Sequence, residues 1–276
     1  MAIAHSLLLI SSIAFADDAP EADPEVVPRA ARVVSVYDGD TVTLDTGDRV
    51  RLQWVNTPEL RPAEAFGVEA KELAVRLLLN KQVKLEYGPV VRDGYGRLIA
   101  GLYTEDGTSL AVELLKEGYG HLFVIPPIGD LDMTELLAAQ RAAKADRKGI
   151  WSDERYAGTL HITSFHANAR GDDRENLHGE YLRVCNVGNE TVNLDGYRLS
   201  DISGESWRLP DVDVPPGYTV KLISGRGENQ LSIEKQLSVY LQTDRPVWNN
   251  DKDRATLYDP MGKVIDARTH APKSRQ

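Results

Sequence analysis

The chain predicts an α+β domain built on a five-stranded barrel with three helices, followed by an all-β sandwich of immunoglobulin-like type. Three observations lead there. Short alternating runs crowd residues 31–54, and helical spacing then interleaves with further strands up to residue 153. From 158 to 271 only strand-like runs and turn clusters follow. The texture changes after Trp151-Ser152-Asp153, and 276 residues are enough for two separate cores.

Residues 1–16 carry the apolar run Ser6 to Phe15 and end in the small-x-small pattern Ala14-Phe15-Ala16, the shape of a cleavable export signal. No Lys or Arg precedes that run, and it is too short to span a bilayer as a permanent helix. Residues 17–30 are acidic and proline-containing, with few bulky apolar side chains, and are expected to form a disordered leader. Strands are expected at 33–37, 41–44 and 49–54, with Thr46-Gly47-Asp48 turning between the last two. A helix over 67–80 places Ala70, Leu73, Ala74, Leu77 and Leu78 on one face. Strands return at 83–87 and 98–103, and five strands close naturally into an OB-like barrel. A second helix is expected over 109–117, with Gly118 as its stop, and a third over 133–147. The later strands are expected at 160–162, 181–187, 197–199, 207–209, 218–223, 237–242, 255–258 and 264–266.

Composition narrows the chemistry. A net charge of −10, from 32 basic and 42 acidic residues, argues against binding of nucleic acid by bulk charge alone, so any such contact must be local. The single cysteine, Cys185, permits no intramolecular disulfide and no zinc cage, and in its apolar run it reads as a small buried strand residue. The six histidines are dispersed without metal-ligand spacing, and neither a glycine-rich phosphate loop nor a Gly-x-Ser-x-Gly elbow is present.

The informative residues are Asp38-Gly39-Asp40-Thr41, Arg51, Asn56-Thr57-Pro58-Glu59 and Asp93-Gly94-Tyr95-Gly96-Arg97. Oxygen donors suit a hard cation, which polarises a phosphoryl oxygen. Guanidinium groups grip phosphate oxygens, and a free carboxylate can orient or deprotonate an attacking water. Singly, each has a structural reading: Asp38 and Asp40 as hairpin caps, Glu59 as an ion-pair partner of Arg51, Arg97 as a solvated strand residue. Core packing gives no reason for all of them together at these spacings.

This set, with Gly149-Ile150-Trp151-Ser152, resembles the staphylococcal-nuclease-like (thermonuclease) family over residues 31–153. The resemblance implies calcium held by Asp40, Asn56 and the Thr57 carbonyl, with Asn56 standing where the family more often has Asp. It implies Glu59 as the carboxylate acting on water, Arg51 and Arg97 as the phosphate clamp, Tyr95 as a nucleotide-phosphate contact and Asp38 as a supporting carboxylate. DNA and RNA, single strands favoured, are then the expected substrates, cut to a 5′-hydroxyl and a 3′-phosphate. The family's base-stacking tyrosines become Val124 and Pro126 here, so its base preference does not carry over.

Residues 158–271, through Glu180 to Gly188, Leu194 to Asp201, Val247 to Asp251 and Ala255 to Asp259, resemble the lamin-tail domain, an immunoglobulin-like sandwich. Its ligand is left open, and its near-balanced charge does not favour strong backbone-driven DNA binding. Asn249, Asp251 and Asp253 alternate like the start of a calcium loop but lack its glycine and terminal glutamate, so a tight turn is expected. The expectation is an exported calcium-dependent nuclease with an accessory domain; the alternative is a catalytically silent binding scaffold.

Overall fold

The computed structural model describes residues 27–270. The expected export signal at 1–16 and the acidic leader as far as residue 26 lie outside the described residues. The first part of the chain runs through β1 (Ala30–Val36), β2 (Thr41–Leu44), β3 (Arg49–Leu52), β4 (Val55–Asn56), α1 (Gly67–Leu78), β5 (Gln82–Glu86), β6 (Leu98–Thr104), α2 (Leu110–Lys116), β7 (His121–Leu122) and α3 (Thr134–Ala145). Strands β1, β2, β3, β6 and β5 close into a barrel in that order, with the β3–β6 pair parallel and the others antiparallel.

Alternation explains the closure. Val33, Val42, Leu44, Val50, Leu52, Val83, Leu85, Leu98, Ala100 and Leu102 are buried in the barrel core, while neighbours such as Arg49 and Lys84 stay outside. Helix α1 buries Ala70, Leu73, Ala74 and Leu78, the face expected from its periodicity. Helix α2 is capped by the Ser109 side chain, which accepts from the Val112 amide, and stops at Gly118. Gly118 has φ +67, and a Cβ there would lie 2.3 Å from the Lys148 carbonyl oxygen, so only glycine fits.

Several features depart from expectation. The strand expected over 49–54 ends at Leu52, because Trp54 turns the backbone with φ +72, and resumes as β4. The short pairing of Val192–Asn193 with Asp213–Val214 in the second part was not expected. The two-residue pair β4–β7, which joins Asn56 to His121, is too short to leave a periodic signal. The last residues of the expected disordered leader are docked: Val27 packs on the barrel core, Tyr87 Oη donates to the Pro28 carbonyl at 2.8 Å and the Leu85 amide donates to the Arg29 carbonyl at 2.9 Å. They are ordered because they satisfy backbone groups along β5.

The second part contains β8 (Leu160–His166), β9 (Tyr181–Asn186), β10 (Val192–Asn193), β11 (Arg198–Ser200), β12 (Ser206–Arg208), β13 (Asp213–Val214), β14 (Thr219–Ile223), β15 (Leu237–Tyr240), β16 (Asp253–Tyr258) and β17 (Val264–His270). Two four-stranded sheets, β12-β11-β16-β17 and β15-β14-β9-β8, form the sandwich. Leu182, Val184, Val220 and Leu222 of one sheet and Leu199, Ala255 and Leu257 of the other share its core. Asp253 is buried and accepts from the amides of Ile202, Asn249 and Arg254, so the Asn249 to Asp253 run is a hydrogen-bonded turn.

The outer face of the β8-β9-β14 sheet lies against the barrel domain. The Val124 amide donates to the Gly217 carbonyl at 2.8 Å, and the Val124 carbonyl accepts from the Thr219 amide and hydroxyl. Lys144 Nζ donates to the Val187 carbonyl at 2.9 Å, and Trp54 packs against both cores. Cys185, on β9, is fully buried in this junction, its thiol donating to the carbonyls of Leu122 and Gly217. Burial pushes that thiol far above the ordinary cysteine range.

Cys185 is therefore expected to resist a thiol reagent such as 5,5′-dithiobis(2-nitrobenzoate) in the folded protein. It should react with one equivalent on unfolding, and prompt reaction without denaturant would mean that the junction opens.

Candidate active site

Asp38, Gly39 and Asp40 form the turn between β1 and β2, held where Asp40 is read from three sides. Its Oδ2 accepts from the Thr57 amide at 2.9 Å and the Thr57 hydroxyl at 3.0 Å, and lies 3.3 Å from Nη2 of Arg51. Asp38 Oδ1 accepts from the Asp40 amide at 3.1 Å. The turn has room for no side chain at its centre: a Cβ on Gly39 would meet Ala70 Cβ at 2.7 Å and Thr57 Cγ2 at 2.8 Å. Glycine here lets the acidic turn sit directly on α1 and on Thr57, just after β4.

Arg51 is heavily committed. Its Nη1 donates to the carbonyls of Leu52 at 2.6 Å and Val55 at 2.7 Å, while Nη2 donates to Asn56 Oδ1 at 3.0 Å and pairs with Asp40. Arg97, at the start of the β6 arm, gives only Nε, to Asp93 Oδ2 at 2.7 Å. Arg97 thus has more N–H groups to offer a phosphate than Arg51 has. The Asp93 carboxyl is held below its usual range: burial opposes this, but hydrogen bonds from the Arg97 side chain and from the Arg97 and Tyr95 amides outweigh it.

Glu59 lies in the loop before α1, and its amide donates to Glu64 Oε2 at 2.9 Å. Partial burial, then the charges of Asp40 and Glu64, push the Glu59 carboxyl above its ordinary range. Asp38 is pushed up to about 7 by burial first and by Asp40 second. Carboxylates are crowded here beyond what the nearby arginines offset, which is the electrostatic setting a cation relieves.

Asp38, Asp40, Arg51, Asn56, Glu59, Tyr95 and Arg97 all line one cleft of about 920 Å³. Thr57 is buried behind Asp40 instead, its carbonyl accepting from Asn56 Nδ2 at 3.4 Å. The candidate metal donors Asp40, Asn56 and Thr57 are all oxygen, which fits a hard cation, and their charge is low. Arg51 now supplies the positive charge between Asp40 and Asn56. Among the described residues no group of three or more His, Cys, Asp or Glu side chains is placed to hold a metal. His121 and His161, distant in sequence, bring their rings to 6.0 Å, and burial followed by the His161 charge pushes His121 down to about 3.

The far wall of the cleft comes from the second domain. Ser164, His166, Tyr181, Arg183 and Lys221 line it, and none of them was singled out from the sequence. Arg268 of β17 also reaches across, its Nη2 3.3 Å from Glu64 Oε1, the carboxylate that holds the Glu59 amide. Val124 is fully buried under this domain and Pro126 is buried too, so neither can stack on a base. Only the alternation of large polar with apolar residues along 181–187 hinted that β9 has two occupied faces.

Barrel, helices and acidic-arginine cleft together define the class of an OB-type nuclease domain, here joined to a sandwich. The profile of "Staphylococcal nuclease homologue" matches residues 49–153, and that of "Lamin Tail Domain" matches 154–271. The thermonuclease of Staphylococcus intermedius is 34% identical over 126 residues, covering 43% of this chain and 74% of that protein. The thermonuclease of Staphylococcus hyicus is 34% identical over 131 residues, covering 44% of this chain and 75% of that protein. Endonuclease YhcR of Bacillus subtilis (strain 168) is 32% identical over 149 residues, which are 49% of this chain but only 12% of that protein. The chain belongs to the staphylococcal nuclease family.

Gly39→Ala is expected to lower the unfolding free energy by about 1–3 kcal/mol, because Ala70 and Thr57 must move aside. Urea unfolding of the variant beside the parent measures it.

Proposed function

We propose that this protein is an exported calcium-dependent nuclease that hydrolyses phosphodiester bonds of DNA and RNA. The observation that carries the reading is the convergence of Asp40, Glu59, Arg51 and Arg97 on one cleft from four separate segments of the barrel domain. The thermonuclease and endonuclease relatives support the same class of chemistry. A cleft of about 920 Å³, walled by two domains, suits a few nucleotides of one strand and not a duplex, which favours single-stranded substrates.

Asp40, Asn56 and the Thr57 carbonyl would hold calcium, which when bound lends Lewis acidity at a phosphoryl oxygen. Arg97, with its uncommitted N–H groups, holds the phosphate and stabilises the charge that builds on it. Arg51 contributes to the same field while fixing Asn56 and the Asp40 turn. Glu59 takes the proton of the attacking water; the water oxygen bonds to phosphorus, and the bond to the 5′-oxygen breaks. That oxygen picks up a proton from solvent, giving a 5′-hydroxyl and a 3′-phosphate. Tyr95, which is 75% exposed at the lip, is placed to contact a neighbouring nucleotide. The segment at 1–16 is the basis for export.

Cleavage of single-stranded DNA by the full chain, with calcium or with chelator, tests the reading. Activity should require calcium, and Arg97→Ala should lose about 100 to 1,000-fold in rate while keeping its unfolding midpoint. Absence of cleavage by the folded protein at every calcium concentration would overturn the reading in favour of a binding scaffold. Asn56→Asp, by adding a negative charge to the donor set, should lower the calcium concentration that gives half-maximal rate.

A further inference from the structure

The side of the cleft opposite the candidate catalytic residues is a cationic sheet face. β9 places Tyr181 and Arg183 on its outer face, and the pairing register sets Lys221 of β14 and Ser164 of β8 directly beside Arg183, with His166 beside Tyr181. Lys221 Nζ lies 4.1 Å from the Tyr181 ring centroid and the Arg183 guanidinium 5.5 Å from it, while His166 stacks on the same ring at 4.2 Å. Like charges directly opposite one another across strands are destabilising. Here Arg183 and Lys221 stand so, and no ion pair joins either to a carboxylate among the described residues.

Two polar atoms on this wall, Arg183 Nε and Ser164 Oγ, are buried without a hydrogen-bond partner. Such groups cost free energy unless a ligand completes them. Burial and the neighbouring Arg183 charge hold the Lys221 ammonium below the usual lysine range; burial, then Arg183, Lys221 and Arg268, do the same for His166. Among the described residues no carboxylate pairs with these cations, whereas Arg51, Arg92 and Arg97 on the barrel side each face a carboxylate. Tyr181 on this wall and Tyr95 on the barrel side line the same cleft. The second domain's near-balanced total charge conceals this local patch.

We propose that Lys221 and Arg183, supported by Tyr181 and His166, form a phosphate-binding subsite through which the lamin-tail domain holds the single strand that passes through the catalytic cleft. This rests on the nuclease reading for the identity of the strand and extends it to the second domain. The ligand is a polyanionic backbone and not a base-specific feature, because the wall offers cations and the stacked rings of Tyr181 and His166. Specificity for sequence is not expected from it.

The test is binding of a fluorescent 12-nucleotide single-stranded DNA, read by anisotropy across a salt series, with calcium present. It is done in a Glu59→Gln background of the full chain so that the strand is not consumed. Lys221→Met should weaken binding about 5-fold and reduce the salt slope by about 0.7, the value for one phosphate contact on a single strand. Lys221→Arg should restore both. Lys263→Met, the same charge change on an exposed residue away from the cleft, is the control for bulk charge. Equal binding by Lys221→Met and Lys263→Met, or no binding by the parent, would overturn the proposal. Since binding is read without turnover, expected binding in this background beside no cleavage by the protein with Glu59 intact would sink the nuclease reading and leave the subsite standing.

Discussion

The two-residue period of β9 is the constraint on which most of this molecule depends. Leu182 and Val184 point into the sandwich core, where they meet Val220 and Leu222. The alternate residues face the other way: Cys185 is buried in the junction with the barrel domain, and Tyr181 and Arg183 emerge into the cleft. One strand thus builds a core, a domain junction and part of a candidate binding wall. A one-residue slip in its pairing would exchange all three, so the register that stabilises the sandwich also aims the cationic face.

A second node, the Asp40 carboxylate, organises the barrel side. By accepting from the Thr57 amide and hydroxyl while pairing with Arg51, it ties the first turn, β3 and the segment after β4 together. The same contacts explain why the two arginines are unequal. Arg51 is spent on holding Asn56 and two backbone carbonyls, whereas Arg97 is pinned by a single carboxylate and keeps most of its fork. Burial raises Asp38 and Glu59 because too many carboxylates meet in too little solvent. On the opposite wall the imbalance reverses, with Arg183 and Lys221 uncompensated. The cleft thus has carboxylates and arginines paired on one side and uncompensated cations on the other.

The second domain also reaches the Glu59 loop indirectly. Arg268, fastened to the Ile162 and Thr163 carbonyls, pairs with Glu64, and Glu64 receives the Glu59 amide. The sandwich therefore bears on Glu59 through two intervening groups as well as closing the cleft.

Much of the fold was legible in the residues alone. Period-two runs such as 41–44 and 83–86 and the helical faces of α1, α2 and α3 are local patterns, and local sterics and apolar burial are enough to dictate them. The candidate residues on the barrel side were legible for a related reason: Asp40, Arg51, Glu59 and Arg97 stand in short segments whose residue types have no packing rationale. The β4–β7 pair, the docking of Val27 to Ala30 and the wall of Ser164, His166, Tyr181, Arg183 and Lys221 were not. Each depends on partners tens to more than a hundred residues away, and no periodicity encodes which distant surface a strand's outer face will meet. The sequence by itself determined two domains, most of their longer strands and helices and the residues of one half of the cleft, because those follow from local patterning and side-chain chemistry. Only the tertiary structure decided that the second domain supplies the other half, since that follows from how two apolar and hydrogen-bonding surfaces dock in space.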